Sequence, residues 1–582
     1  MNDTASSTPE ILVVGAGMAA HHFVARLLRD PGADLRITVI GDEEHGPYDR
    51  SALVGLLSGT EAAELQLDRS VFRDERVRLI RDDRVLRIDR AGRTVRTRSR
   101  RAYRYDTLVL ATGSFAARVA VDGARLPGCF VLRTIDDAES VRDFARARSR
   151  LLGRPLRGTV IGGGLPGIDT ASALHGSGID TTIVQFPDRL MPVQLDERGA
   201  AMLQRSLERQ GITVRTRTRA TRLDPDDSGM VTALEFQDGT FDRTDLVVFT
   251  VGVRPRDELA RNAGLDVHPR GGVIVDDRCG TSDPHILAIG EAARFDGRRI
   301  DAVGPARVTG DVAAGRVLGQ EVRLCGLDGS VHRTVAGFAL ASFGDALARA
   351  DGAVEVVTRH EEDAGVYGKL VLTDDARTLL GGVLLGDADD VEAVRGLLGA
   401  GWSSELASRL RPVGIDRQGD SVICAHLGVS RRGLRAAIRD ERLSTFSGVR
   451  ARFGADRGCE RCTGAIAHEL AERAGEGAPR GSRTDRDAGT YGQPDGTIGI
   501  SSSLTEGDIT PAHLMAIGRV AEEFLLQPRI VGTRIELRGV ASGQMSSLRD
   551  RLTALGLLGA TSTPGERGMT AARGPRLATA EG

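Results

Sequence analysis

The stretch Ile11-Leu-Val-Val-Gly-Ala-Gly-Met-Ala-Ala20 decides the fold of this 582-residue chain. Its four apolar residues indicate a buried strand, and Gly15 and Gly17 indicate a tight turn from which a helix begins. The pattern G-x-G-x-x-A, which ends at Ala20, is typical of a dinucleotide site, because the first glycine permits the turn and the second lets the backbone approach a pyrophosphate. Asp42 follows the next predicted strand, Arg36-Ile-Thr-Val-Ile40, where a carboxylate can accept a hydrogen bond from a ribose hydroxyl.

A second fingerprint lies farther along the chain, at Thr159-Val-Ile-Gly-Gly-Gly-Leu-Pro-Gly167. It also follows an apolar run and begins a helix, with Gly162, Gly164 and Gly167 at the fingerprint positions. One such pattern is a weak signal, but two in one chain indicate a flavin and a nicotinamide nucleotide. We therefore predict an α/β fold with two Rossmann-like dinucleotide-binding domains, followed by small α+β and helical C-terminal domains.

Composition limits the remaining choices. The net charge of -2 makes nucleic acid an unexpected partner. No apolar run reaches the roughly 18 residues that a membrane span requires. The first ten residues lack the basic and apolar regions of a signal peptide, so we expect a cytoplasmic protein. Six cysteines in this length argue against a disulfide framework.

The order of apolar runs predicts that one dinucleotide domain is inserted in the other. After the second fingerprint the chain returns to the first domain with Thr281-Ser-Asp-Pro-His-Ile-Leu-Ala-Ile-Gly-Glu291, whose final acid could hydrogen-bond a flavin's ribityl chain. We assign residues 8–115 and 246–322 to the FAD-binding domain and 116–245 to the NAD(P)H-binding domain.

The first 320 or so residues resemble the two-dinucleotide-binding-domain flavoproteins of the pyridine nucleotide-disulfide reductase type. Tyr48-Asp-Arg50, Leu190-Met-Pro-Val-Gln-Leu-Asp196 and Gly252-Val-Arg-Pro255 narrow the resemblance to the large subunit of NAD(P)H-dependent assimilatory nitrite reductase. The resemblance implies an FAD site at Gly15, Gly17, Ala20, Asp42, Arg50, Thr112, Gly113, Gly290 and Glu291. It implies an NAD(P)H site at Gly162, Gly164, Gly167, Asp169, Gln185 and Gly252.

The chain departs from these relatives at informative positions. The window from Tyr48 to Gly59 contains no cysteine, which excludes thiol chemistry at the flavin. Asp169 stands where the family usually has a glutamate near the contact between flavin and nicotinamide. Gln185 ends the strand in which an acid would select NADH, and no arginine directly follows it, so NADH and NADPH both remain open. We name no catalytic base, since hydride transfer depends on positioning.

A metal site is predicted farther along. Cys424, His426, Cys459 and Cys462 resemble the bacterioferritin-associated-ferredoxin-like [2Fe-2S] domain, with histidine at the second cysteine position. Imidazole can replace thiolate and raises the cluster's potential. Zinc would accept the same four ligands, and a remnant without metal is the third reading.

The other C-terminal segments resemble parts of the same subunit. We expect a small α+β cap and dimerisation domain over 331–400, the cluster domain over 415–474, and a ferredoxin-like half-domain of nitrite and sulfite reductases over 490–558. The linker is expected at 475–496 and a flexible tail at 559–582. Because no cysteine follows Cys462, we expect the chain to stop before the sirohaem domain and to carry no sirohaem.

These features predict an NAD(P)H-oxidising FAD oxidoreductase. Electrons would pass through the cluster, if one is present, to a separate acceptor protein, with or without sirohaem, or to a small-molecule acceptor. One alternative is a non-catalytic flavin-bearing subunit that docks or assembles a sirohaem protein. Another is a flavin reductase of a small nitrogenous or organic substrate. A homodimer is expected.

Overall fold

The computed structural model describes residues 8–324, 326–386, 391–395, 397–399, 421–455 and 459–477, and between 488 and 552 it describes 488–492, 498–503, 511–524, 526–531, 534–540, 547–548 and 551–552. The chain forms two compact units, Met1–Ala478 and Pro479–Gly582, which are described separately. The predicted tail at 559–582 and the start of the predicted cluster domain, 415–420, lie outside the described residues. Within them, no helix is long and apolar enough to cross a membrane.

The first dinucleotide domain starts with the predicted strand, turn and helix. Helix α1 buries Ala20, Phe23, Val24 and Leu27, a spacing that places their side chains on one face. A 3-10 helix at Arg50–Ser58 and another at Arg69–Phe72 connect strands two and three. The elements are β1 (Glu10–Val14), α1 (Met18–Leu28), β2 (Arg36–Ile40), β3 (Val77–Ile80), β4 (Val85–Asp89), β5 (Thr94–Thr97), β6 (Ala102–Arg104), β7 (Thr107–Leu110) and β8 (Ser114–Ala116).

The second dinucleotide domain repeats this plan. Its elements are β9 (Cys129–Val131), α2 (Ile135–Leu152), β10 (Arg157–Ile161), α3 (Leu165–Gly176), β11 (Asp180–Val184), α4 (Glu197–Arg209), β12 (Thr213–Arg215), β13 (Ala220–Pro225), β14 (Val231–Phe236), β15 (Phe241–Arg243) and β16 (Leu246–Phe249). Its parallel sheet has the order β12-β11-β10-β16-β9. The predicted domain boundary at residue 246 is therefore wrong by one strand, because β16 pairs with β10 and β9 and not with the first sheet.

The chain then returns to the first domain, as predicted. The returning elements are β17 (Val253–Pro255), α5 (Glu258–Asn262), β18 (Val273–Val275), β19 (Ile286–Ala288), a 3-10 helix (Gly290–Ala292), β20 (Ala293–Phe295), β21 (Arg298–Arg299) and α6 (Val303–Val317). Strand β19 completes the first parallel sheet, whose order is β19-β7-β1-β2-β3. The loops after β1, β2, β7 and β19 thus meet at one edge of the sheet, where open α/β sheets bind ligands.

The third region of the first unit is an antiparallel sheet with a short helix. Its elements are β22 (Val331–Val335), β23 (Phe338–Gly344), β24 (Val354–Glu361), β25 (Val366–Leu372), β26 (Leu379–Leu385) and α7 (Val391–Arg395). The strand order is β22-β23-β26-β25-β24.

Both faces of this sheet are buried. Leu340, Val357 and Leu385 join the core of the second dinucleotide domain. Phe343, Val356, Leu370 and their neighbours on the opposite face join a core that is shared with three helices next to the predicted metal ligands. Those helices are α8 (Arg431–Asp440), α9 (Phe446–Phe453) and α10 (Glu460–Gly477). The predicted domains 331–400 and 415–474 therefore share one core.

The second unit contains a four-stranded antiparallel sheet and a helix. Its elements are β27 (Ala488–Gly492), β28 (Ile498–Ser503), α11 (Pro511–Glu523), β29 (Gln527–Val531) and β30 (Arg534–Val540). The strand order is β27-β28-β30-β29. The predicted linker over 475–496 is too long, since α10 continues to Gly477 and β27 begins at Ala488.

Candidate functional site

The first fingerprint forms the turn that its glycines predicted. Gly15 has a φ of +109°, and a Cβ there would lie 2.1 Å from the backbone oxygen of Ala111. Its N–H donates to the oxygen of Ile40 at 2.8 Å. Gly17 immediately precedes α1, so the unpaired N–H groups of the first helical turn face the loop. Only glycine fits the turn, and the helix end can hold a phosphate group.

A large cavity opens beside this turn. It is bounded by the loops after β1, β2, β7 and β19, by α3 and by β22. Ten predicted site residues line it: Gly15, Gly17, Asp42, Arg50, Thr112, Gly113, Asp169, Gly252, Gly290 and Glu291. Five do not line it: Ala20, Gly162, Gly164, Gly167 and Gln185. Ala20 is fully buried in the core beneath α1, so it contributes packing and not a surface for the cofactor.

Arginines that the sequence analysis missed pair with the acids of this cavity. Arg256 lies 2.7 Å from Asp42 and Arg333 lies 3.0 Å from Asp169. Arg133 pairs with Glu291, whose carboxylate also accepts from the hydroxyl of Ser114 at 2.7 Å. Neighbouring arginines thus hold the acids expected to contact the cofactor and fix their orientation through charge-assisted hydrogen bonds.

Arg50 takes part in a fourth pair. Its guanidinium lies 2.5 Å from Glu43, and it also donates to the hydroxyl of Tyr48 at 2.7 Å. Tyr48 donates in turn to Glu43 at 2.6 Å, and burial raises the pKa of its phenol. Glu43 stands seven residues before Arg50 in the stretch that contains Tyr48-Asp-Arg50, so this partner was within reach of sequence reasoning.

Arg256 is held in place by three contacts in addition to its pair with Asp42. Its guanidinium stacks over the ring of Phe115, with the central carbon 4.3 Å from the ring centroid. Its backbone oxygen accepts from the hydroxyl of Thr112 at 2.7 Å, and its N–H donates to the oxygen of Gly113 at 2.9 Å. Its Nε is buried and has no hydrogen-bond partner among the described residues. An unpartnered buried donor at the cavity wall is consistent with a bound polar ligand.

The third region closes the cavity at Asp169. This aspartate lies on α3 of the second dinucleotide domain, and its partner Arg333 lies on β22. Burial raises the pKa of Asp169, and the nearby Arg333 opposes that shift. The cavity therefore needs both dinucleotide domains and the antiparallel sheet.

The second fingerprint forms its own turn at the edge of the second sheet. A Cβ at Gly162 would lie 2.6 Å from the oxygen of Thr250, and one at Gly167 would lie 1.8 Å from the oxygen of Gly162. Gly164 precedes α3 as Gly17 precedes α1. The buried side chain of Gln185 accepts from the N–H of Gly163 at 2.7 Å and donates to the oxygen of Arg189 at 3.1 Å. Gln185 thus supports the glycine loop from beneath.

The predicted metal ligands come together. The ligand atoms of Cys424, His426, Cys459 and Cys462 all lie within 4.8 Å of one another. Cys462 lies in the first turn of α10 and is buried, whereas His426 is exposed. Three thiols and one imidazole at this spacing match the donors of an iron–sulfur cluster or of zinc.

Ion pairs next to the metal site connect it to the rest of the first unit. Glu460, next to Cys459, pairs with Arg198 of α4, and its carboxylate lies 3.6 Å from a ring nitrogen of His360 on β24. The start of α10 is therefore attached both to the second dinucleotide domain and to the edge strand of the sheet.

Comparison with known proteins agrees with this geometry. The family description "Pyridine nucleotide-disulphide oxidoreductase" matches residues 9–311, which is more than half of the chain. The chain belongs to this family. A second description, "BFD-like [2Fe-2S] binding domain", matches residues 422–472, which include all four predicted ligands.

Two curated relatives are similar to this chain over 94% of its length. The "Nitrite reductase [NAD(P)H] large subunit" of Klebsiella oxytoca is 32% identical over 630 residues, covering 94% of this chain and 65% of the relative. The "Nitrite reductase (NADH) large subunit" of Escherichia coli strain K12 is 30% identical over 632 residues, covering 94% of this chain and 74% of the relative. The chain thus spans about two thirds of the length of the first relative.

Among solved structures, the ferredoxin reductase for the CYP199A2 system of Rhodopseudomonas palustris superposes with a TM-score of 0.60. It is 29% identical, and the match covers 67% of this chain and 94% of that one. The resemblance, the α/β fold and the cofactor classes expected from the sequence are confirmed: the chain is an NAD(P)H-dependent oxidoreductase of the FAD-containing pyridine nucleotide-disulphide type, with a BFD-like [2Fe-2S] domain.

This member of the pyridine nucleotide-disulphide oxidoreductases has no thiol at its cavity. None of the described residues that line the cavity is a cysteine. Burial raises the pKa of Cys129 to about 11 and that of Cys279 to about 12, so both thiols stay protonated and unreactive at neutral pH. Among the described residues, the cavity thus provides no thiol for the disulfide chemistry that gives the family its name.

Proposed function

We propose that this chain collects electrons from NAD(P)H and delivers them one at a time to a separate acceptor. FAD would be held by the eight predicted FAD residues that line the cavity together with Arg256, and NAD(P)H by the turn at Gly162, Gly164 and Gly167 together with Asp169 and Gly252. Cys424, His426, Cys459 and Cys462 would hold a [2Fe-2S] cluster. When bound, FAD accepts a hydride from the nicotinamide and releases single electrons, which such a cluster can carry.

The chain's own residues supply positioning and electrostatics. The two helix ends behind Gly17 and Gly164 face the places where pyrophosphates would bind. In the pairs formed by Asp42, Asp169 and Glu291, the second carboxylate oxygen can accept a hydrogen bond from a hydroxyl group. Asp169, from the second dinucleotide domain, and Arg333, from the antiparallel sheet, bound the cavity and can orient a nicotinamide. No general base is required for hydride transfer.

The observation that carries the proposal is the convergence of the four metal ligands within 4.8 Å, beside helices that share a core with the sheet bounding the cavity. The close spacing of three thiols and one imidazole favours a bound metal over a remnant without metal. The exposed position of His426 leaves one side of the site accessible to an acceptor.

The acceptor is proposed to be a protein, and the sirohaem-containing part of a nitrite reductase is the first candidate because of the two curated relatives. The second unit, whose sheet and helix resemble a ferredoxin-like half-domain, is proposed to dock it. We further propose a homodimer, with the antiparallel sheet contributing to the interface as in flavoproteins of this type.

The test is the cofactor content and reduction of the full-length protein. Anaerobic preparations should contain one FAD, about two irons and two sulfides per chain, and stopped-flow mixing with NADH or NADPH should bleach the flavin. Zinc without sulfide would make the metal site structural. A flavin that neither coenzyme reduces would leave only the docking alternative.

A further inference from the structure

The second dinucleotide domain has a basic surface beside Gln185, and the residues that form it are distant from Gln185 in the sequence. Gln185 ends β11, where the adenosine ribose of the coenzyme is bound in this fold. Two arginines from the segment between β12 and β13 are fixed beside it by backbone hydrogen bonds. The N–H of Thr218 donates to the oxygen of Gln185 at 3.1 Å, and that of Arg217 donates to the oxygen of Pro187 at 3.0 Å.

The side chains of these arginines are available to a ligand. Arg217 and Arg219 are both exposed. The guanidinium carbon of Arg219 lies 5.9 Å from the ring centroid of Phe186, which directly follows Gln185 and is itself 62% exposed. Arg217 has a φ of +53°, a left-handed conformation that side chains other than glycine adopt only at a cost and that recurs at binding sites.

The neighbouring carboxylates do not neutralise this pair. Asp188 is bound by Arg189 at 3.1 Å, and Asp242 by Arg215 at 2.7 Å. Gln185 itself is neutral, and its buried side chain is engaged by the glycine loop. The end of β11 therefore lacks the acid that would repel a phosphate and has two cations beside it.

We propose that Arg217 and Arg219 form a subsite for the 2′-phosphate of NADPH, and that Phe186 supports the adenine. The inference rests on the proposed function and narrows it: NADPH is the preferred electron donor. A phosphate dianion at this position would receive charge-assisted hydrogen bonds from two guanidinium groups, a geometry that arginine favours over lysine.

Binding of fragments tests the subsite without catalysis. Isothermal titration should show that adenosine 2′,5′-bisphosphate binds the wild-type holoprotein at least about tenfold more tightly than AMP, the worth of one charge-assisted hydrogen bond. In the Arg217→Gln/Arg219→Gln variant, the affinity for the bisphosphate should fall about tenfold while that for AMP stays within about twofold. Arg217→Gly removes the side chain yet suits the left-handed backbone, and it should show the same selective loss.

Arg209→Gln is the matched control. This arginine is exposed at the end of α4, which leads to the amino end of β12, whereas Gln185 follows the carboxyl end of the parallel strand β11; its substitution should change neither affinity. Equal binding of the two fragments by the wild type, or an unchanged ratio in the double variant, would overturn the subsite. Failure of either coenzyme to reduce the flavin would instead refute the proposed function, and the fragment titration would still decide the subsite.

Discussion

Gln185 is the residue at which coenzyme preference can be shifted by one atom. Replacing its amide by a carboxylate in Gln185→Glu keeps the acceptor for the N–H of Gly163, removes the donor to the oxygen of Arg189 and adds a negative charge near the ribose. The ratio of kcat/KM for NADH to that for NADPH should rise about tenfold, since the charge repels a 2′-phosphate. Gln204→Glu on α4 adds the same charge elsewhere and should leave the ratio unchanged. An unaltered ratio in Gln185→Glu would contradict the assignment of this position.

His426 is the residue that distinguishes this cluster site from an all-cysteine one. His426→Cys adds a thiolate, makes the cluster more negative and should lower its midpoint potential by roughly 100 mV or more, since two such exchanges separate Rieske centres from plant-type ferredoxins by several hundred mV. Spectroelectrochemical titration measures the change. His332→Cys is a control outside the ligand set. A potential that stays constant in His426→Cys would show that His426 is not a ligand.

Among the secondary-structure elements, α8 and α10 depend on one buried carboxylate. Glu469 of α10 has a side chain only 1% exposed and binds Arg431 at 2.7 Å and Arg435 at 2.6 Å, both on α8. Removing the charge leaves two arginines without this partner and should destabilise the helix pair by about 3 kcal/mol. We expect Glu469→Gln to lose iron during purification and to unfold at lower urea. Glu472→Gln, an exposed position on the same helix, should retain both properties.

The elements also show which features sequence could predict. Gly15, Gly162 and the apolar runs beside them predicted strand, turn and helix because the constraint is local: a Cβ has no room in either turn. The pair of Asp42 and Arg256 joins residues more than 200 positions apart and has no local signature. For the same reason, the place of β16 was misread, since an apolar run does not say which of two sheets it joins.

In the antiparallel sheet, the sequence shows no alternation of apolar and polar residues that would indicate which side chains face which core. Leu340 and Ala341 point to opposite faces, and both faces are covered, so their run reads as uniformly apolar. The metal ligands were found because cysteines and histidine carry a chemical signal that needs no fold. Arg217 and Arg219 were missed because they approach Gln185 only through the pairing of β11 with β12.

At the scale of the first unit, the only lysine of the chain links the antiparallel sheet to the second dinucleotide domain. Lys369 on β25 is 1% exposed and lies 2.9 Å from Asp196, which caps α4, and 2.6 Å from Glu355. The hydroxyl of Tyr367 also donates to Asp196 at 2.6 Å. Burial by itself would raise the pKa of Asp196, but the bonds from Tyr367 and Lys369 outweigh it, so that the pKa is lowered.

This lowered pKa predicts how the domains respond to acid. The stabilisation is fully present above the ordinary aspartate pKa of about 4 and is lost as pH falls through the lowered value. Asp196→Asn should reduce stability by about 2 kcal/mol or more at pH 7 and flatten the decline of the urea midpoint below pH 4. Asp143→Asn, on the exposed face of α2, serves as the control. A wild-type slope in Asp196→Asn would show that other carboxylates govern acid unfolding.

The path of electrons through the unit is decided by the position of the metal site. The antiparallel sheet has the cavity near β22 and the metal ligands near β24, at opposite edges of its strand order. Since adjacent strands are about 4.8 Å apart, four strand spacings place the two sites on the order of 20 Å apart. A small acceptor can reach the cavity directly, but a protein acceptor is proposed to receive its electrons at the exposed His426.

The double variant Cys459→Ser/Cys462→Ser should therefore keep NAD(P)H-dependent flavin reduction and ferricyanide reduction within about twofold, while reduction of cytochrome c falls at least about tenfold. Cys129→Ser, which alters a thiol outside the metal site, should retain all three activities. If the double variant reduced cytochrome c at the wild-type rate, electrons would leave from the cavity itself and the metal centre would lie off the path.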